Sequence, residues 1–124
     1  IPLWTYNIGE DCYCMALAIA ISVDGEYIAV GTDNDSLHMF NKESNIPIWS
    51  YITNEIFGQP VVSVGISEDN KYVVAAAPNL GSMDSFGQIY LFDNERIIEE
   101  NNENYLSFYK KNLLEAKQGG GGEH

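Results

Sequence analysis

The sequence predicts an all-β chain: two tandem four-stranded antiparallel units of about 45 residues each, followed by a C-terminal helix. Three observations carry that prediction. First, Ile1-Pro2-Leu3-Trp4-Thr5-Tyr6 returns as Ile46-Pro47-Ile48-Trp49-Ser50-Tyr51. Second, the same shift lays residues 21–30 (Ile21-Ser22-Val23-Asp24-Gly25 at the start) onto residues 66–75 (Ile66-Ser67-Glu68-Asp69-Asn70). Third, each repeat breaks into short apolar or alternating runs punctuated by Asp, Asn and Gly, the pattern of strands and turns rather than helices.

The elements follow in order. In the first repeat, residues 3–6 form an aromatic, β-rich segment, and strands are expected over 14–22, 27–32 and 36–41. Asp24-Gly25 is a hairpin signal, because a two-residue turn needs positive φ. Asp69-Asn70 fills the same slot in the second repeat, and Asn tolerates the left-handed region. The second set is 47–52, 61–67, 72–77 and 88–93. Pro2 and Pro47 open the aromatic strands, where a missing N–H is tolerated at an edge. In Ala16-Leu17-Ala18-Ile19-Ala20-Ile21 one side is large and the other is Ala alone; Val62, Val64 and Ile66 oppose Ser63 and Gly65 in the second copy. A strand with no charge on either face is covered on both. Its small side lets the next sheet come close.

The repeats differ at one place. Between their third and fourth strands the first has Asp33-Asn34-Asp35, whereas the second has an insertion at 78–87. After Asp93 no third Pro-x-Trp-x-Tyr appears. Residues 102–118 read as a helix instead, with Glu99, Glu100 and Glu103 at its start and Lys110, Lys111 and Lys117 toward its end. The expected organisation is repeat 1 over 1–45, repeat 2 over 46–93, an acidic linker and helical tail over 94–118, and a Gly-rich linker or tag remnant over 119–124.

Units of this period with several strands each are the spacing of propeller blades. Rings of such blades number roughly four to eight. Two blades leave two apolar faces uncovered, so ring closure needs other copies or missing blades. Three copies give six blades and four give eight, through head-to-tail contacts in which residues 1–6 extend a sheet ending at 88–93. The alternative is a chain that forms part of a longer propeller, or one that pairs with a different chain.

Charge excludes several functions. Residues 1–92 hold eleven Asp or Glu against only Lys42 and Lys71, and the formal net charge is −12. Such a surface repels phosphate backbones and anionic lipid, so neither nucleic acid nor membrane is an expected partner. No apolar run reaches the roughly 18 residues of a membrane span. No signal peptide is visible, but the chain starts at Ile1, which makes that silence uninformative. Cys12 and Cys14 would lie about 6.5 Å apart along a strand, awkward for a bridge. CxC supplies two metal ligands at most. Two plain thiols are expected, which slightly favours a cytoplasmic, reducing compartment.

The segments Pro2-Leu3-Trp4-Thr5-Tyr6, Ala20-Ile21-Ser22-Val23-Asp24-Gly25-Glu26-Tyr27-Ile28-Ala29-Val30-Gly31 and Leu37-His38-Met39-Phe40 carry a likeness, as do Val64-Gly65-Ile66-Ser67 and Ile89-Tyr90-Leu91-Phe92. They resemble β-propeller repeats of the WD-repeat and pyrroloquinoline-quinone-like (quinoprotein-like) superfamily, and are similar to archaeal and bacterial tandem arrays of the type PLWSY…VAISxDGxYI. The resemblance covers residues 1–93 and implies a fold, with little said about function. The Gly-His and Trp-Asp dipeptides of typical WD repeats are missing. So are the paired adjacent cysteines and Ca²⁺ ligands of the quinone enzymes. Trp4 and Trp49 are therefore expected as outer-strand packing.

Strand order places residues 7–13, 33–35, 52–60 and 77–87 on one face of the disc. That face gathers Glu10, Asp11, Tyr13, Asp33, Asp35, Glu55, Phe57, Met83, Asp84 and Phe86. Aromatics and Met in an acidic surround suit a protein or peptide partner, and the insertion 78–87 is the first place to look. No catalytic, cofactor-binding or metal-ligating set is expected. His38 aligns with Tyr90 and reads as packing, His124 sits in the Gly-rich tail, and Asp33-Asn34-Asp35-Ser36 lacks the further oxygens of a Ca²⁺ loop. Two functions remain: a non-enzymatic protein-interaction scaffold, and a degenerate quinoprotein-like or carbohydrate-active propeller enzyme fragment. The first is favoured, because no convergent acid–base set is visible.

Overall fold

The computed structural model describes residues 1–9, 14–53, 59–78 and 87–102. Among the described residues are seven strands: β1 (Ala16–Ile21), β2 (Tyr27–Thr32), β3 (Ser36–Asn41), β4 (Trp49–Ile52), β5 (Ser63–Ile66), β6 (Tyr72–Ala77) and β7 (Gln88–Asp93). A helix, α1, occupies residues 94–102. The strands make two antiparallel sheets, ordered β1-β2-β3-β4 and β5-β6-β7. The all-β fold class expected from the repeats is the one observed. Sheet boundaries are displaced by one strand from the repeat boundaries, because the aromatic strand β4 of the second repeat pairs with β3 of the first.

Both β1–β2 and β5–β6 connections are built by one network, written twice. Ser22 Oγ donates to Asp24 Oδ1 (2.7 Å) and accepts from Tyr27 N–H (2.9 Å), while Asp24 Oδ1 also accepts from Glu26 N–H (3.0 Å). Ser67, Asp69, Lys71 and Tyr72 repeat each bond (2.7, 3.1 and 2.9 Å). Gly25 (φ 76°) and Asn70 (φ 65°) take the left-handed conformation expected of them. The two-residue turn is not made, however. Asp24 stays at negative φ, and its carboxylate braces a longer connection with Ser22. Those bonds favour its charged form: the Glu26 N–H first, then the Ser22 hydroxyl, hold the Asp24 carboxyl below its usual range.

The core lies between the two sheets. Ala29, Leu37, Met39 and Trp49 of the first sheet meet Val73 and Ala75 of the second, with Val61 between them. Residues directly opposite across a ladder share a face, so the pairs Ala18–Gly31 and Ala20–Ala29 line the first sheet's inner side. β5 packs on β1 and β2 across that side. Small residues permit this approach: a Cβ on Gly31 would stand 2.5 Å from Val61 Cγ1.

Two further expectations change. The chain is already helical at Asn94, ahead of the expected start at 102, because Asp93 caps the turn: its Oδ1 accepts from Arg96 N–H at 2.9 Å. Residues 103–118 lie outside the described residues. Cys14 is disulfide-bonded, which corrects the expectation of plain thiols. It precedes β1, so the extended-strand spacing that argued against a bridge does not apply to it. The chain's other cysteine, Cys12, lies outside the described residues.

Candidate functional site

Of the residues expected on the loop face, Asp33 and Asp35 are described. Glu10, Asp11, Tyr13, Glu55, Phe57, Met83, Asp84 and Phe86 lie outside the described residues, as does most of the insertion 78–87. Asp33 clasps the entry to β1: its Oδ1 accepts from Met15 N–H (2.8 Å), and its own N–H donates to Met15 O (3.0 Å). Asp35 takes φ 67°, and its carbonyl accepts from Thr53 N–H at 2.8 Å. The Thr53 hydroxyl lies between the carbonyls of Gln59 (2.7 Å) and Asp35 (3.0 Å). Tyr90 reaches the same cluster, its hydroxyl beside Gln88 Oε1 and within 3.3 Å of Thr53 O.

A chain of hydrogen bonds thus ties 33–35 to residue 15 on one side and to 53, 59 and 90 on the other. The described parts of three connections converge. Sequence reasoning named Asp33 and Asp35 for their charge; in the structure they hold the chain at Met15 and Thr53. It missed Thr53, the buried Gln59 and Tyr90, whose roles depend on neighbours distant in sequence. Among the described residues, no group of three or more His, Cys, Asp or Glu side chains is placed to hold a metal ion.

At the opposite end, the connections bearing Asp24 and Asp69 meet α1. A groove of about 320 Å³ is lined there by Tyr27, Asp69, Asn70, Lys71, Asn94, Glu95, Ile98 and Glu99. Asn94 is buried beneath it, accepting from Trp49 Nε1 (2.8 Å) and donating to Asn70 O (3.1 Å).

Aromatic side chains join the sheets in a repeated pattern. Trp49 and Tyr51 of β4 pack on Phe92 of β7 with ring centres 5.2 and 5.1 Å apart, and Tyr51 meets Tyr90 at 5.4 Å. Trp4 and Tyr6 pack on Phe40 of β3 at 5.3 and 4.9 Å, and Tyr6 meets His38 at 5.5 Å. One strand, β4, therefore hydrogen-bonds into the first sheet while its rings lie on the second. Two stacked antiparallel sheets joined in this way have the form expected of propeller blades. Trp4 and Trp49 both serve packing, with Trp4 Nε1 donating to Lys42 O at 2.7 Å. His38 sits in the first ladder, its Nδ1 2.7 Å from Ser50 Oγ, and burial holds its imidazole below the ordinary value.

No family model matches the chain, and no curated protein matches it. Among solved structures it is similar to the β-propeller domain of Cps50 (Swd1) from Myceliophteria thermophila, at 21% identity and a TM-score of 0.41. The match covers 66% of this chain and 27% of that one, so the chain spans about a quarter of the other's length.

Proposed function

We propose that this chain is a non-enzymatic protein-interaction scaffold of propeller blades, which takes a protein or peptide through its loop face. The observation that carries the reading is the pair of stacked blades whose outer faces both expose apolar side chains. Leu17, Ile19 and Ile21 stand exposed on one, and Val74, Ile89 and Leu91 on the other. Apolar faces of that extent belong to an assembly. Further copies, three or four in all, complete the ring; the competing arrangement is a longer propeller of which these are two blades.

The hydrogen-bonded frame through Met15, Asp33, Asp35, Thr53 and Gln59 gives the loop face a rigid base. Glu10, Asp11, Tyr13, Phe57, Met83, Asp84 and Phe86 supply the recognition surface. Its acidic character selects a basic, aromatic-tolerant peptide, with electrostatics setting association rate more than affinity. The test is a peptide array read at two salt concentrations. Basic peptides should bind the wild type and lose binding to a variant carrying D11N, D84N and F86A. Equal binding by both proteins, or a stoichiometric bound quinone or glycan, overturns the scaffold reading.

A further inference from the structure

We infer that the open edge of β7 is a strand-accepting site, and that its occupant is residues 2–6 of a second copy of this chain. The inference deepens the ring-closure part of the reading above and does not depend on the loop face.

The acceptor is defined by comparison within the molecule. β3 is paired on both edges, by β2 and by β4. β7 aligns with β3, yet among the described strands it pairs with β6 alone. Its sequence from Gln88 to Phe92 is uncharged, without the Lys or Pro that protect natural edges. Leu37 and Met39 of β3 are 0% exposed, whereas their counterparts Ile89 and Leu91 of β7 are 80% and 69% exposed. The residue types match. What differs is that the first blade's face is covered by the second blade, and the second blade's face is bare.

The donor is defined in the same way. Residues 2–6 repeat residues 47–51, and their rings already lie on the first blade as those of β4 lie on the second, to within about 0.2 Å in each centre-to-centre distance. Only the backbone half of the arrangement is missing. β4 forms a ladder with β3, whereas residues 2–6 belong to no sheet and Leu3 is 93% exposed. The segment is thus a counterpart of β4 without its β3. It lies on the outer face of the first blade, at the other end of the stack from the bare face of the second, so a ladder between the two joins different copies head to tail.

The internal ladder sets the register. Met39–Trp49, His38–Ser50 and Leu37–Tyr51 are opposite one another; by equivalence Leu91 faces Trp4, Tyr90 faces Thr5, and Ile89 faces Tyr6 of the neighbouring copy. Leu3 N–H then donates to Leu91 O, as Ile48 N–H does to Met39 O at 2.7 Å. Pro2, lacking an N–H, stands where Pro47 stands. The same docking brings Ile19 and Ile21 onto the groove of about 270 Å³ between Gly65, Tyr72, Val74 and Leu91. That is the joint Val64 and Ile66 already make inside one chain.

Two measurements on the full chain test this. Light scattering should return three or four times 13.8 kDa for the wild type. L91K, a change at an exposed position, should give a folded species of 13.8 kDa. Mixing a T5C chain with a Y90C chain should yield the intermolecular disulfide, while T5C with Q88C, two residues out of register, should not. A folded wild-type monomer whose β7 amides are already protected from hydrogen exchange means that the chain fills the edge itself and overturns the proposal. Assembly with equal cross-linking at residues 88 and 90 overturns the register. Peptide binding by the L91K monomer reads the loop face separately, so either proposal can fail alone.

Discussion

Gly31 shows how closely the two blades meet at the level of single residues. A Cβ there would lie 2.5 Å from Val61 Cγ1 and 2.7 Å from Val61 O, and the second of these is backbone that cannot swing aside. Gly31→Ala should therefore destabilise the fold by about 1–3 kcal/mol, the usual penalty of overpacking. An unchanged denaturant midpoint would show that the sheets do not approach there. His38 gives a second residue-scale prediction. Burial lowers its pKa from 6.5, so as pH falls the unfolded chain takes up a proton before the folded one. Its contribution is complete above pH 6.5 and declines as pH drops through that value toward the lower folded one. His38→Tyr, which copies Tyr90 of the second blade, removes the proton-binding group. Between about pH 8 and about pH 5, the denaturant midpoint of the wild type should fall more steeply than that of H38Y. Parallel slopes would mean that the ring is not held neutral.

At the scale of elements, α1 depends on its first residue pair. Asp93 Oδ1 caps the Arg96 N–H, and Arg96 Nε holds Glu100 at 3.1 Å one turn on. Asp93→Ala should cost about 1 kcal/mol, with Asp93→Asn close to neutral. Helical ellipticity that stays unchanged in D93A would remove the cap from the account. This cap also shows where the sequence stopped being readable. Asp93 closes the apolar run Gln88–Asp93, so it reads as a strand end, and its second role appears only once the helix is seen to start at Asn94. Seven of the eight expected strands were legible, because alternation and repeated Asp-Gly or Asp-Asn turns are local signals. Residues 3–6 carry the same aromatic pattern as β4 but join no sheet, since a strand also needs a neighbouring edge that sequence does not show. The sheet to which β4 belongs was not legible. Periodicity locates a strand but not its hydrogen-bond partner, and Trp49 satisfies two sheets at once, its backbone in one and its ring on the other. At the loop face, charge pointed to Asp33 and Asp35. The bonds that make them supports, to Met15 and Thr53, join residues up to 18 positions apart.

Considered as a whole molecule, the chain sets an electrostatic problem for the assembly proposed above. Each added copy brings a net charge of −12, yet the faces that would meet carry Ile19, Ile21, Val74, Ile89 and Leu91, none of them charged. Attraction across the joint is therefore apolar and nearly independent of salt, whereas repulsion between copies is long-range and screened. Raising ionic strength from about 0.01 M to about 0.15 M shortens the screening length from roughly 30 Å to roughly 8 Å, less than the breadth of one blade. Salt should then strengthen assembly, the reverse of what an interface built on ion pairs would do. Acidification toward the isoelectric point near 4.2 discharges the copies too, but it also approaches the ordinary aspartate value of 3.8, and below that value the turns held by Asp24 and Asp69, whose pKa values the fold lowers, lose stability. Salt is the cleaner variable. Sedimentation velocity across that range of sodium chloride should show the assembled fraction rising at fixed protein concentration. A fall would mean that charged side chains hold the joint, and the uncharged β7 edge could not then be its centre.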